Sequence, residues 1–253
     1  MLFVSTRQAG SGEGLNFSDA IRRGIATDGG LYVPETVPRL DDAALSSCTT
    51  PAASAGALLE PMTAGDTLAT DLASVCAEAL DFEIPVSPLA EGAPAVLELF
   101  HGPTCAFKDV GARFLATCLG RLRQEGDPVA TILVATSGDT GAAVASAFHR
   151  RPGFRVVVLY PEGLVSPRQA HQLSCWGDNV TTFTVASNFD ECQNLVKAAF
   201  ADVELSARLG LNSANSINLG RLLPQMSYYA SAAVDWRQGR GETPGFIIPT
   251  GNL

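Results

Sequence analysis

No stretch of this sequence approaches the roughly 20 consecutive apolar residues that a membrane-crossing helix needs. The longest, such as Val156 to Tyr160, have the length of a strand, and the N-terminal "MLFVSTRQAG" turns polar after Val4, too soon for the core of a secretory signal. No membrane partner is expected. The six cysteines (Cys48, Cys76, Cys105, Cys118, Cys175, Cys192) form no C-x-x-C pair, and His101, His149 and His171 are equally scattered. No metal site or dithiol redox centre is expected, and a reducing cytoplasm suits such spacing. Positive charge is scarce as well: 17 Lys plus Arg stand against 26 Asp plus Glu, for a net charge of −9. Without a basic stripe, no nucleic-acid partner is expected. Also missing are the phosphate-loop pattern G-x-x-x-x-G-K, the dinucleotide pattern G-x-G-x-x-G, internal repeats and low-complexity tracts.

What is there is material for a core. Hydrophobic residues make up 46% of the 253, enough to fill more than one compact unit. "FSDAIRRGIA" has helical periodicity with Ser18 as its expected cap. Residues 48–66, rich in Ala, Ser, Thr, Pro and Gly, suit a loop or short helix. A helix is expected over Thr67–Leu80, with Leu68, Leu72, Val75, Cys76 and Ala79 on one face.

From residue 95 the rhythm becomes strand, glycine turn, helix. "AVLELF" precedes a helical stripe of Val110, Phe114, Cys118, Leu119 and Leu122; "TILVA", "RVVVLY" and "NVTTFTVA" are each followed by a helical segment. Short strands joined by crossover helices imply an α/β fold, a parallel sheet covered by helices on both faces. Such sheets bind ligands at the carboxyl ends of their strands. "GFIIPT", near the end, reads as one more buried strand.

Four segments have the chemistry of a site. In "HGPTCAFKD", Asp109 is the expected helix cap and Lys108 lies just before it. A cation there faces the positive helix pole, at a cost of ~0.3–1 kcal/mol if exposed, so solubility alone does not select the position. Beside Phe107 the amine is pushed toward its neutral, nucleophilic form; a solvated loop lysine is the competing reading. "ATSGDTGAAV" leaves a strand and opens a helix, offering Ser137, Gly138, Asp139, Thr140 and Gly141 to a carboxylate or phosphate, or serving simply as a capped glycine turn. "NSANSINLGR" gathers amides, hydroxyls and Arg221, either around an oxygen-rich ligand or as ordinary turn residues. "PTGNL" is a further glycine turn leaving a strand.

Eight segments in order, "STR", "DGGLYVPE", "HGPTCAFKD", "ATSGDTGAAV", "LYPEGLVSPRQ", "FDECQNLVK", "NSIN" and "PTGN", give the chain a resemblance to the threonine synthase family, in its microbial and fungal branch. The resemblance implies the fold-type-II architecture of pyridoxal 5'-phosphate enzymes. It also implies conversion of O-phospho-L-homoserine and water to L-threonine and phosphate, with Lys108 bonded to the cofactor aldehyde and acting as catalytic base. Cys105 stands where the family has leucine. Gly251 and Asn252 match the turn that holds the cofactor phosphate. Substrate roles are carried to Ser137, Gly138, Asp139, Thr140 and Gly141, and to Asn215, Ser216 and Asn218, with Arg113 and Arg221 as candidates for charge at the substrate phosphate. The resemblance further implies an N-terminal domain over 1–90, an incomplete cofactor domain from 91–125 and 226–253, and a smaller α/β unit over 126–225 that closes on substrate. The family continues beyond Leu253, so an N-terminal portion lacking the C-terminal part is expected. A non-catalytic fragment, or a fold-type-II lyase for another substituted amino acid, are the alternatives, and monomer or homodimer is left open.

Overall fold

The computed structural model describes residues 1–7, 14–40, 42–90 and 94–249. Strand β1 (Phe3–Ser5) pairs antiparallel with β2 (Tyr32–Pro34), bracketing helix α1 (Phe17–Arg23). The α1 cap is Asn16, whose side chain accepts from the Asp19 N–H at 2.8 Å. Ser18, the expected cap, lies one residue inside the helix, where its N–H and hydroxyl both donate to the Asp66 carboxylate.

Helices α2 (Asp42–Ser46), α3 (Pro51–Thr63) and α4 (Leu72–Ala79) follow. The small-residue stretch is helical because Thr50 caps α3 and Pro51 occupies its first position, where a missing N–H costs nothing. The helix expected from Thr67 begins only at Leu72, because Asp66 accepts from the Leu68 N–H and holds a turn there. All five apolar residues of the expected stripe are nevertheless buried.

Strand β3 (Val86–Pro88) pairs antiparallel with β4 (Ala95–Leu97), so "AVLELF" does not enter the parallel sheet. Helix α5 (Lys108–Arg121) then crosses the core, with Val110, Phe114, Cys118, Leu119 and Leu122 all buried.

The parallel sheet is built from β5 (Ala130–Ala135), β6 (Phe154–Pro161), β7 (Val180–Val185) and β8 (Leu211–Asn212). Its connections are α6 (Asp139–Phe148), α7 (Pro167–Ser174), and the pair α8 (Phe189–Ala201) and α9 (Val203–Leu209). Strand order is β7-β6-β5-β8. Two steps through α6 and α7 therefore run outward to β7, and the chain returns over α8 and α9 to the far side of β5. Right-handed crossovers place these two sets of helices on opposite faces, which buries Ile132 and Val134 on one face of β5 and Thr131 and Leu133 on the other. The direction of winding reverses between β5 and β8, the position where a sheet of this type opens a crevice at its carboxyl end.

Helices α10 (Leu219–Leu222) and α11 (Gln225–Arg240) bring the chain back across α5 and α3. One contiguous core runs from Phe3 and Phe17 through Phe114 to Val156 and Leu173. Phe246–Pro249, expected as a buried strand, form no regular element, and Ile247 is 94% exposed. No described strand lies alongside to take up their backbone groups. Gly251 and Asn252 lie outside the described residues. Among the described residues, no helix is long and apolar enough to cross a membrane.

Candidate active site

Lys108 does not precede its helix; it is the first residue of α5, and no side chain caps it. Asp109, the expected cap, is fully buried instead. Its carboxylate accepts from the Thr104 N–H at 2.9 Å and the Thr104 hydroxyl at 2.7 Å. Burial pushes the Asp109 carboxyl up, and the Thr104 bonds partly offset that. Gly102 makes the fold-back possible, since a Cβ there would stand 2.6 Å from Asp109 Oδ2. The loop of "HGPTCAFKD" is thus clamped from within, and what it presents is Lys108.

The Lys108 side chain is 22% exposed, with Nζ 4.3 Å from the Phe107 ring centroid and 3.9 Å from Asp139 Oδ2. Desolvation lowers its pKa below the ordinary lysine value. Asp139 partly restores it, and the charge of Arg221 lowers it again. A less readily protonated amine in a half-dry place is the form that attacks a carbonyl carbon.

Asp139 belongs to the turn at the carboxyl end of β5. Thr136, part of the "ATSGDTGAAV" segment but given no role from the sequence, organises that turn: its Oγ1 accepts from the N–H groups of Gly138 at 3.0 Å and Gly141 at 2.9 Å and donates to the Gly138 carbonyl. Two of the glycine N–H groups expected to be open to an anion are therefore occupied. Those of Asp139 and Thr140, in the first turn of α6, have no intrahelical partner. Gly138, at φ 150°, adopts a backbone that favours glycine, and a Cβ there would collide with the Gln169 side chain. Gln169 in turn donates to Asp139 Oδ1 at 3.1 Å.

The turn has a second side. A cleft of 330 Å³ opens between the ends of β5 and β8, lined by Ser137 and Thr140, by Asn215 and Ser216, and by Gln193 and Lys197 of α8. It lies at the reversal point of the sheet. Asn218, expected with Asn215 and Ser216, is instead fully buried as the cap of α10. It accepts from the Gly220 N–H and donates to the Ile21 carbonyl, so it shapes the segment and does not line the cleft. Arg113 is tied to Asp81 and to the carbonyls of Glu78 and Ala79, at the end of α4. Arg221 is 1% exposed; Nη1 donates to the Ala214 carbonyl at 2.9 Å, Nε has no partner among the described residues, and burial pushes its pKa down to about 10.

Residues 93–251 match the family described as "Pyridoxal-phosphate dependent enzyme", and residues 2–80 match "Threonine synthase N terminus". A threonine synthase of Haemophilus influenzae is 42% identical over 95% of this chain and 56% of its own length. The structure superposes on a PLP-bound threonine synthase from Brucella melitensis with TM-score 0.83, 41% identity, and coverage of 93% of this chain and 52% of the other. For the yeast threonine synthase the TM-score is 0.85, with 34% identity and coverage of 94% and 50%. The chain spans about half the length of the curated relatives it matches. With the first of these matches covering well over half of its residues, and with the fold of these solved enzymes, the chain belongs to the family of pyridoxal-phosphate-dependent enzymes.

Proposed function

We propose that the protein carrying this chain is a threonine synthase that converts O-phospho-L-homoserine and water to L-threonine and phosphate, with Lys108 as its catalytic amine. The observation that carries this reading is the place of Lys108: half-desolvated, beside Phe107, and 3.9 Å from the turn that ends the central strand. The residues fit pyridoxal 5'-phosphate. A desolvated amine suits its aldehyde, and the orphaned Arg221 Nε marks a buried cation with bonding capacity to spare. When bound, the cofactor supplies an electrophilic carbon for the Lys108 amine and a ring that withdraws electrons from the substrate.

Once displaced by the substrate amine, Lys108 Nζ would be the base that takes the proton from the substrate α-carbon. Ser137, Thr140, Asn215 and Ser216 offer hydroxyls and amides to the oxygens of the substrate, and Arg221 offers charge behind them. Gly138 and Gly141 keep the turn tight, and Asp139 steadies the Lys108 amine. Gly251 and Asn252 complete the cofactor set in this reading. We further infer the division into 1–90, 91–125 with 226–253, and 126–225, the last closing on substrate. The compartment is the cytoplasm, in keeping with six free cysteines.

Borohydride reduction of the protein loaded with PLP, followed by peptide mass mapping, is expected to fix the cofactor on Lys108, and phosphate release is expected with O-phosphohomoserine. Fixation on another residue, or full turnover by Lys108→Ala, overturns the assignment.

A further inference from the structure

"FDECQNLVK" has been given no chemical role above, yet four of its residues stand in the cleft. On α8, Phe189, Gln193, Val196 and Lys197 fall at i, i+4, i+7 and i+8, one face of the helix. All four line the cleft at the end of β5. Lys197 is one of only two lysines in the chain, and the other is Lys108.

The composition of that cleft is selective. Although the chain carries a net charge of −9, the lining contains no carboxylate among the described residues. Its polar groups are the hydroxyls of Thr136, Ser137, Thr140 and Ser216, the amides of Gln193 and Asn215, and the Lys197 ammonium. Asp190 and Glu191, in the first turn of α8, are exposed and outside the lining, and Lys197 makes no ion pair among the described residues. An uncommitted cation among hydroxyls and amides, with no competing anion among the described lining residues, is a place for a dianion.

We propose that Lys197 binds the phosphate of the phosphorylated substrate in this cleft, and holds it as a base takes a Cβ proton, the Cβ–H pair forms the Cβ=Cγ bond, and the Cγ–O pair leaves on the phosphate oxygen. The inference rests on the reading above and deepens it: it assigns a specificity residue that discriminates a phosphate ester from an uncharged ester.

The test uses the complete protein loaded with PLP, and Lys197→Ala and Lys197→Arg variants. Calorimetric binding of inorganic phosphate and KM for O-phosphohomoserine are both measured. A charge-assisted contact predicts that Lys197→Ala weakens both by about tenfold or more, that Lys197→Arg retains most of the wild-type values, and that cofactor affinity is unchanged. Equal phosphate binding by wild type and Lys197→Ala overturns the inference whatever the turnover. So does a loss confined to cofactor affinity, which assigns the cation to the phosphate of PLP. If phosphate binds in a Lys197-dependent way but O-phosphohomoserine is not turned over, the threonine synthase reading falls and this one stands.

Discussion

Gly111, one turn into α5 from Lys108, is where the geometry makes its sharpest demand. A Cβ at that position would stand 2.5 Å from the Arg221 carbonyl oxygen and 3.1 Å from Arg221 Cα. The obstacle is the backbone of α10, which cannot rotate aside as a side chain would. Replacing glycine by alanine inside a helix ordinarily gains ~1 kcal/mol. Here that gain is set against overpacking of ~1–3 kcal/mol. To this is added about 1 kcal/mol for the Gln225 amide bond to the same carbonyl, now 2.9 Å long, which the shift of α10 strains. The balance is a net loss of about 1–3 kcal/mol for Gly111→Ala. Gly120, near the other end of the same helix, is the internal control: its Cβ would meet nothing closer than Arg151 Nη1 at 3.6 Å. Gly120→Ala is therefore expected to be neutral or to stabilise by up to ~1 kcal/mol. Urea unfolding of the two variants should shift the midpoint in opposite directions. Shifts of the same sign and size would refute the claim that the α5–α10 contact requires glycine.

Two further outcomes follow from bonds already described. Thr136→Val keeps the shape of the side chain but leaves the Gly138 and Gly141 N–H groups without an acceptor, a loss of about 2–4 kcal/mol; Thr136→Ser should retain near wild-type stability in the same denaturation assay, and equal stability of the two variants would count against the turn being held by the hydroxyl. Glu78 is pushed up by partial burial, but the hydrogen bond and charge of Arg151 outweigh this and hold its carboxyl below the ordinary 4.5, with Thr117 and Arg121 assisting. Its contribution is thus present above pH 4.5 and lost as pH falls through the lower folded value. Because the carboxylate is 41% exposed, Glu78→Gln should cost under about 1 kcal/mol near pH 7, and a cost at pH 3 undiminished from pH 7 would contradict the ion-pair account.

The elements legible in the sequence are those whose signal is local and periodic. The α5 stripe and the alternation of β5, β6 and β7 with α6, α7 and α8 follow from spacing alone, because each segment exposes its own face to the core. Partner choice is a different matter. "AVLELF" has the composition of a sheet strand, yet it pairs with Val86–Pro88, and nothing within three residues says which neighbour will take its hydrogen bonds. Helix α3 is masked by Ala, Ser and Gly, which carry little amphipathic contrast, although Thr50-Pro51 is a start signal of the usual kind. Ser18 and Asn16 are both plausible caps in sequence; the choice is made by Asp66, 48 residues away, which engages Ser18.

The site divides along the same line. Lys108 and the Ser137–Gly141 turn are legible because their chemistry is written in contiguous residues, down to the glycine that tolerates φ 150°. Thr136 stands in the same segment, but that its hydroxyl holds the turn shows only in the folded bonds; Lys197 joins the cleft, and Arg221, a candidate for charge in the sequence, reaches its place, only when β8 returns beside β5 and brings 215–221 and α8 to the turn. One local trace of this does exist. On the α8 face that carries Phe189 and Val196, a helix serving only the core would continue with apolar residues, yet Gln193 and Lys197 occupy the intervening places. Polar residues set into an otherwise inward stripe have two explanations, a solvated edge or a lined cavity. The parallel strand order decides for the cavity, because the return of the chain from β7 to β8 draws α8 across the one end of the sheet where the winding reverses.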